Sequence, residues 1–390
     1  MNRHTIPLGR IWGIPIGLDP SWFLIFILVT WTLATSTFPA EFADWPGAQY
    51  WIVGAVTAIL FFASIVLHEL GHSVLALRYK VPVRSITLYL FGGVAEIATE
   101  PPSARAEFWI AIAGPAVSLA LAGLFRLLET VSGGLAPALA LTRYLAYING
   151  SVALFNLIPG FPLDGGRVFR AVVWRFTRNL RRATLIAATL GRIIGFFFIL
   201  GGVWQLFAGN VGNGIWIAFI GWFLRNAAVA QIGQQQLAFL LAGHKVSEAM
   251  SRSCVTVPAE TTIQQLIDHH ILGRGQRCMV VARGDDGGLH RDGERDRDGL
   301  VHPKAAGLLT LHHIKEVSRE KWATVTAGET MIPLDQIKWV PPEEELEQAL
   351  KEMNRDGVNQ LPVIEGDSIV GMLSREDVID YLHTLQVLRT

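Results

Sequence analysis

Over the first 241 residues, long apolar runs alternate with short charged loops; beyond them the pattern changes to short amphipathic segments. Ser21 to Pro39 carries no charge and is long enough to span a bilayer as a helix, which takes about 20 residues. Further runs start near Tyr50, cover Ala106 to Leu128, about Leu141 to Ile158, roughly Ala187 to Phe207, and Gly214 to about Gln231. Six spanning helices are therefore expected. Two stretches break the pattern. Between Lys80 and Arg105 the sequence VRSITLYLFGGVAEIAT alternates, is rich in β-branched residues and is interrupted by Gly92-Gly93, which predicts a β-hairpin. The opening IPLGRIWGIPIGLDP is punctuated by Gly and Pro and suits extended segments at a membrane surface. Within the third run, Gly114, Ser118 and Ala122 recur every four residues as a ridge for close helix packing.

From about His244 the chain repeats itself. HKVSEAM…VTVPAETTIQQLIDHH…CMVV…AAGLLTLHHIKEV matches TAGETM…IKWVPPEEELEQALKEM…LPVI…IVGMLSREDVIDYL. Each copy reads as strand, helix, strand, strand, helix, and two copies together close one core. The expected boundaries are residues 1–241 for the apolar part, 244–317 for the first copy and 324–390 for the second. An insertion at 283–305 has charge and Gly but no apolar period, and is expected to be a solvated loop.

Composition agrees with this division. Of the 390 residues, 51% are hydrophobic and only 17% charged, against about 25% charged in ordinary soluble proteins. The formal net charge is zero, which gives no reason to expect a nucleic-acid partner. Cys254 and Cys278 are too few for a disulfide framework or a zinc ribbon. The first apolar run is too long for the core of a cleavable signal peptide. Basic residues gather after the second run (Arg78, Lys80, Arg84) and after the fourth (Arg167, Arg170, Arg175, Arg178, Arg181, Arg182). The positive-inside rule then predicts a multi-pass protein of the cell membrane with both termini cytoplasmic.

Chemistry concentrates in FFASIVLHELGHSVLAL, Phe61 to Leu77. A helix of 3.6 residues per turn puts His68 and His72 on one face, where both imidazoles reach one metal. Glu69, beside the first of them, can act as a base on water. Ionisable groups at membrane depth are costly, so three together call for a purpose. Two histidines leave a catalytic zinc one protein ligand short. Asp164 is the only acid in NLIPGFPLDGGRVFR, where Pro159 and Pro162 break the fourth helix. It is the best candidate for the third ligand; the alternative makes it the N-cap of the helix that follows.

HELGH (His68 to His72), FGG (Phe91 to Gly93), AGP (Ala113 to Pro115) and NLIPGFPLDGGR (Asn156 to Arg167) together resemble the site-2 protease family of intramembrane zinc metalloproteases. The resemblance implies that His68, His72 and Asp164 bind one Zn2+, that Glu69 is the general base, and that Asn156 contacts substrate or the developing oxyanion. It also implies hydrolysis of peptide bonds in or near the transmembrane segments of membrane-protein substrates. The repeated half resembles a tandem pair of CBS (cystathionine-β-synthase) domains. In such pairs a Ser/Thr-x-x-Asp signature holds the ribose of an adenine nucleotide, ATP, ADP or AMP; here Ser374 and Asp377 carry it. The first copy has Thr310 and His313 in those places and lacks the carboxylate. A purely structural role, docking or homodimerisation, fits the pair as well. The expected fold class is thus a polytopic α-helical membrane protein with a small β-hairpin, followed by a soluble α/β tandem CBS module. The rival reading is a metal-ion transporter or channel gated by the CBS pair.

Overall fold

In a computed structural model of the chain, the described residues are 5–90, 92–97, 99–132, 134–252, 255–272, 278–282, 294–295, 301–302, 305–366 and 368–388. Phe91 of the FGG motif, Cys254 and most of the 283–305 insertion lie outside them. Of that insertion, Glu294–Arg295 and Val301–His302 pair as a short antiparallel ribbon. The chain divides into two units, Met1–Gln235 and Gln236–Thr390.

The first unit opens with a hairpin, β1 (Ile6–Ile11) and β2 (Ile14–Leu18). Trp12 (φ 50°) and Gly13 (φ 82°) form its two-residue turn, both left-handed, the geometry that matches the twist of paired strands. Helix α1 (Ser21–Thr32) runs through a π-helical turn, Leu33–Thr37, into α2 (Phe38–Glu41). Helix α3 (Gly47–Arg78) has 32 residues and is roughly 48 Å long, well beyond a hydrocarbon core of about 30 Å. The predicted hairpin follows as β3 (Val83–Tyr89) and β4 (Gly92–Ile97). Then come α4 (Ala104–Val131), α5 (Ala136–Asn156), α6 (Asp164–Thr177), α7 (Leu180–Phe207) and α8 (Val211–Leu241).

Both extended regions join one sheet of order β1-β2-β3-β4, in which β2 and β3 run parallel with Ile16 opposite Ile86. Its apolar face, Ile14, Ile16 and Ile86, is buried on Val66 and Leu70 of α3. Those two residues stand one helical turn apart, so the sheet is seated on the same stretch of α3 that carries the His-Glu-His motif. Asp19 fastens α1 to the sheet: its carboxylate accepts the Ser21 hydroxyl at 2.6 Å, and its own N–H donates to the Leu88 carbonyl at 2.9 Å.

Among the described residues, five helical segments are long and apolar enough to cross a membrane: α1 to α2 taken together, α3, α4, α7 and α8. The remaining expected span is helix α5, 21 residues long; Thr142, Arg143, Asn149 and Ser151 make it less apolar than the others. It packs in the bundle, burying Leu145, Asn149 and Ala153.

In the second unit, strands Val255–Pro258, Cys278–Ala282, Ala305–Thr310 and Ile332–Pro333 form one sheet, and Gln360–Glu365 pairs with Ser368–Ser374 in another. The two copies exchange their leading segments. Val246, at the head of the first copy, is buried with Val340, Met353, Leu361 and Leu373 of the second. Ala327, at the head of the second, is buried with Val257, Ile263, Met279 and Leu309 of the first. Neither core closes without a segment from the other copy.

Candidate metal centre

The α-helical repeat stacks His68 and His72 one turn apart on α3. Both rings are buried, at 5% and 4% exposure, and stand edge to face with centroids 4.9 Å apart. Their Nε2 atoms are 3.2 Å from each other. Asp164 arrives from the broken segment between α5 and α6. There the chain turns back so tightly that a side chain on Gly165 would collide with the Leu157 carbonyl, and one on Gly166 with Gly160. Asp164 is the first residue of α6; the cap position is Leu163 and takes no side-chain bond. The N-cap alternative for Asp164 is therefore not what the structure contains. Its Oδ2 lies 3.1 Å from Nε2 of His68 and 3.2 Å from Nε2 of His72.

The outer nitrogens decide what these three atoms can do. His72 Nδ1 is 2.7 Å from the Ile110 carbonyl, which can only accept, so Nδ1 carries the proton and Nε2 keeps a lone pair. His68 Nδ1 is 2.9 Å from the Ser118 hydroxyl, which can accept in the same way. Two lone pairs and a carboxylate oxygen then converge, an arrangement that repels itself without a cation. The three atoms form a triangle with sides of 3.1–3.2 Å. A tetrahedral zinc with ligands at about 2.0 Å sets neighbouring ligand atoms roughly 3.3 Å apart. The donor set, its spacing and its outer hydrogen bonds fit that ion.

Helix α4 supplies the wall behind the triangle. A side chain on Gly114 would strike Nε2 of both histidines, so only glycine leaves the ligand atoms room. Gly114 and Ser118, read from their spacing as a packing ridge, thus also serve the histidines. The signal was present in their four-residue spacing, which matches that of His68 and His72 on the helix they cross. A second missed feature is the buried pair Glu107 on α4 and Arg170 on α6, 0% and 3% exposed, joined through Arg170 Nε at 2.7 Å. Arg170 also reaches Glu100 at 3.1 Å and lies over the Phe161 ring. This pair fastens α6, whose first residue is Asp164, to the helix that backs both histidines.

Glu69 leaves α3 on the side of the sheet. Gly93 of β4 gives it space, since a Cβ there would come within 2.6 Å of Glu69 Cγ. Asn156 is the last residue of α5 and half-buried; its amide makes no hydrogen bond among the described residues. In the second unit Ser374 and Asp377 bond to each other, with the Ser374 hydroxyl 2.5 Å from Asp377 Oδ2 and the Asp377 N–H 3.1 Å from Ser374 Oγ. They thereby cap the helix Arg375–Leu388. Thr310 and His313 close the corresponding turn of the first copy at 2.9 Å.

Comparison with known proteins places this architecture. Residues 56–136 and 134–201 match the family described as Peptidase family M50, and residues 327–384 match the CBS domain. A protein of Mycobacterium tuberculosis named "Putative zinc metalloprotease Rip3" is 36% identical over 380 residues, 96% of this chain and 92% of its own. The Synechocystis protein "Putative zinc metalloprotease sll0528" is 33% identical over 384 residues, 98% of this chain and 96% of its own. Among solved structures, "Site-2 Protease from Methanocaldococcus jannaschii" is 30% identical, covers 58% of this chain and 95% of its own, and superimposes with a TM-score of 0.41. The family match and the relatives of 36% and 33% identity show, together with the membrane-spanning helices, that the chain belongs to Peptidase family M50, as a multi-pass zinc metalloprotease with a C-terminal CBS module.

Proposed function

We propose that this protein hydrolyses peptide bonds in or near the transmembrane segments of other membrane proteins, with His68, His72 and Asp164 as zinc ligands and Glu69 as general base. The observation that carries the reading is the 3.1–3.2 Å triangle of ligand atoms with Glu69 beside it, set among membrane-spanning helices. When bound there, zinc supplies a Lewis acid that acidifies water and polarises a carbonyl. Glu69 takes the proton of the attacking water and delivers it to the departing amine nitrogen. Asn156, whose amide is free of other hydrogen bonds among the described residues, donates to the carbonyl oxygen as charge builds on it. A substrate helix hides its carbonyls and must unwind before it is cut. Among the described residues strand β4 ends the sheet and has a neighbour on one side only, so it offers an edge on which an unwound segment can pair.

The basic loops after α3 and after Asp164 support a topology in which both termini, and the cutting site, face the cytoplasm. The CBS module is read as the regulatory part, through an adenine nucleotide held at Ser374 and Asp377 and through pairing with a second copy. Asp377 Oδ1 supports this, because it makes no hydrogen bond among the described residues while Oδ2 is held by Ser374. A transporter is the competing activity, and one experiment separates the two. Reconstituted with a membrane-spanning reporter, the protein is expected to cut it, to lose that activity to a zinc chelator, and to regain it with added Zn2+. Vesicles that move metal but leave every reporter intact would favour transport instead.

A further inference from the structure

A groove of about 400 Å3 lies between α6 and α7, lined by Phe169 of α6 and by Leu185, Ile186, Thr189, Leu190 and Ile193 of α7. Thr189 is the one polar side chain among them. The groove exists because α7 approaches the bundle on small residues: Ala187 and Ala188 are fully buried against Phe161, with Phe169 beside them. The larger side chains on either flank are left standing outward. Helix α7 is one of the membrane-spanning segments, so the groove opens to lipid chains.

The charge above the groove is one-sided. Between Asp164 and Glu248 the sequence holds eight arginines and not one Asp or Glu. Arg178, Arg181 and Arg182 are exposed at the start of α7, and Arg178 and Arg182 make no ion pair among the described residues. Helical spacing joins these charges to the groove. Arg181, Leu185, Thr189 and Ile193 form one column of four-residue steps, and Arg182, Ile186 and Leu190 form the next. Helical side chains lean toward the N-terminus, so both arginines tilt out of the bilayer, to the depth of lipid headgroups.

We infer that this groove is a binding site for an anionic phospholipid, with an acyl chain along Leu185 to Ile193 and the phosphate between Arg181 and Arg182. A zwitterionic lipid would fill the apolar groove but bring its own cation beside the phosphate, leaving the positive charge of Arg182 without a net counter-charge. The bound lipid would brace Phe169 on the helix that presents Asp164.

The test uses the full chain in nanodiscs of phosphatidylcholine containing a trace of photoactivatable phosphatidylglycerol or photoactivatable phosphatidylcholine, with labelled peptides mapped by mass spectrometry. Each basic residue near an anionic lipid strengthens attachment about fivefold, so the pair contributes roughly 25-fold. The phosphatidylglycerol probe is expected to label residues 169–193 about tenfold or more above the phosphatidylcholine probe. The double variant Arg181→Gln/Arg182→Gln should abolish that excess while labelling of α1 stays unchanged. Thr189→Trp keeps every charge and fills the groove, and should also remove the label. Equal labelling by the two probes, or an undiminished excess in either variant, would overturn the inference.

Discussion

Each imidazole of the centre is committed at both nitrogens, one inward to the ligand triangle and one outward to α4. The outer bonds fix the tautomer and the ring plane, and losing such a partner commonly weakens metal binding by about 10- to 100-fold. Ser118→Ala is accordingly expected to lower zinc affinity by about tenfold, read by competition with a chelator, and Ser118→Thr to restore most of it. An unchanged affinity would return Ser118 to a packing role. The two histidine donors were legible in the sequence because their type and four-residue spacing are themselves the chemistry. The outer partners were not. A backbone carbonyl such as that of Ile110 leaves no mark on the sequence, and Ser118 was indistinguishable from the small residues of a helix crossing.

At the scale of elements, α4 holds the centre together. Glu107, Ile110, Gly114 and Ser118 lie along one of its faces and meet, in order, Arg170, His72, both ligand nitrogens and His68. Removing one member of a buried ion pair leaves the other charged and unsolvated, at a cost of about 3–5 kcal/mol. Arg170→Met should therefore destabilise the protein strongly and release zinc, since α6 carries Asp164. The double variant Arg170→Met/Glu107→Gln should recover much of the loss in thermal unfolding. Additive losses would mean that the two residues act apart. The β3–β4 hairpin and the transmembrane helices were readable from periodicity, which is a local property. The sheet that joins β2 to β3 was not, because nothing near Ile16 announces a parallel partner 70 residues away at Ile86. Asp164 was likewise ambiguous, ligand or cap, until the fold of the Pro159–Gly166 segment aimed its side chain.

Across the whole molecule, a catalytic membrane unit is followed by a module whose two copies complete each other's cores. The duplication was plain in the sequence, but the exchange of leading segments was not: Val246–Ala249 and Ala327–Thr330 are four residues each, too short to show which core they enter. Such interlocking makes the copies respond together, and an allosteric coupling of about 1–3 kcal/mol would correspond to about a 5- to 150-fold change. Titrating the full chain in nanodiscs with ATP, ADP and AMP should show binding that Asp377→Ala removes, because a carboxylate can accept from both ribose hydroxyls. If none of the three binds, or the variant binds equally well, the module serves docking or dimerisation instead.

The central claim is that three side chains hold the metal and a fourth moves the proton. Zinc content and cleavage of a membrane-spanning reporter, measured together on Glu69→Gln and Asp164→Ala, test it most directly. Glu69→Gln keeps the ligand triangle and removes the base, so about one zinc per chain should remain while cleavage is lost. Asp164→Ala removes a corner of the triangle, so zinc and cleavage should fall together. Zinc lost from Glu69→Gln, or zinc and cleavage both retained by Asp164→Ala, would contradict the account.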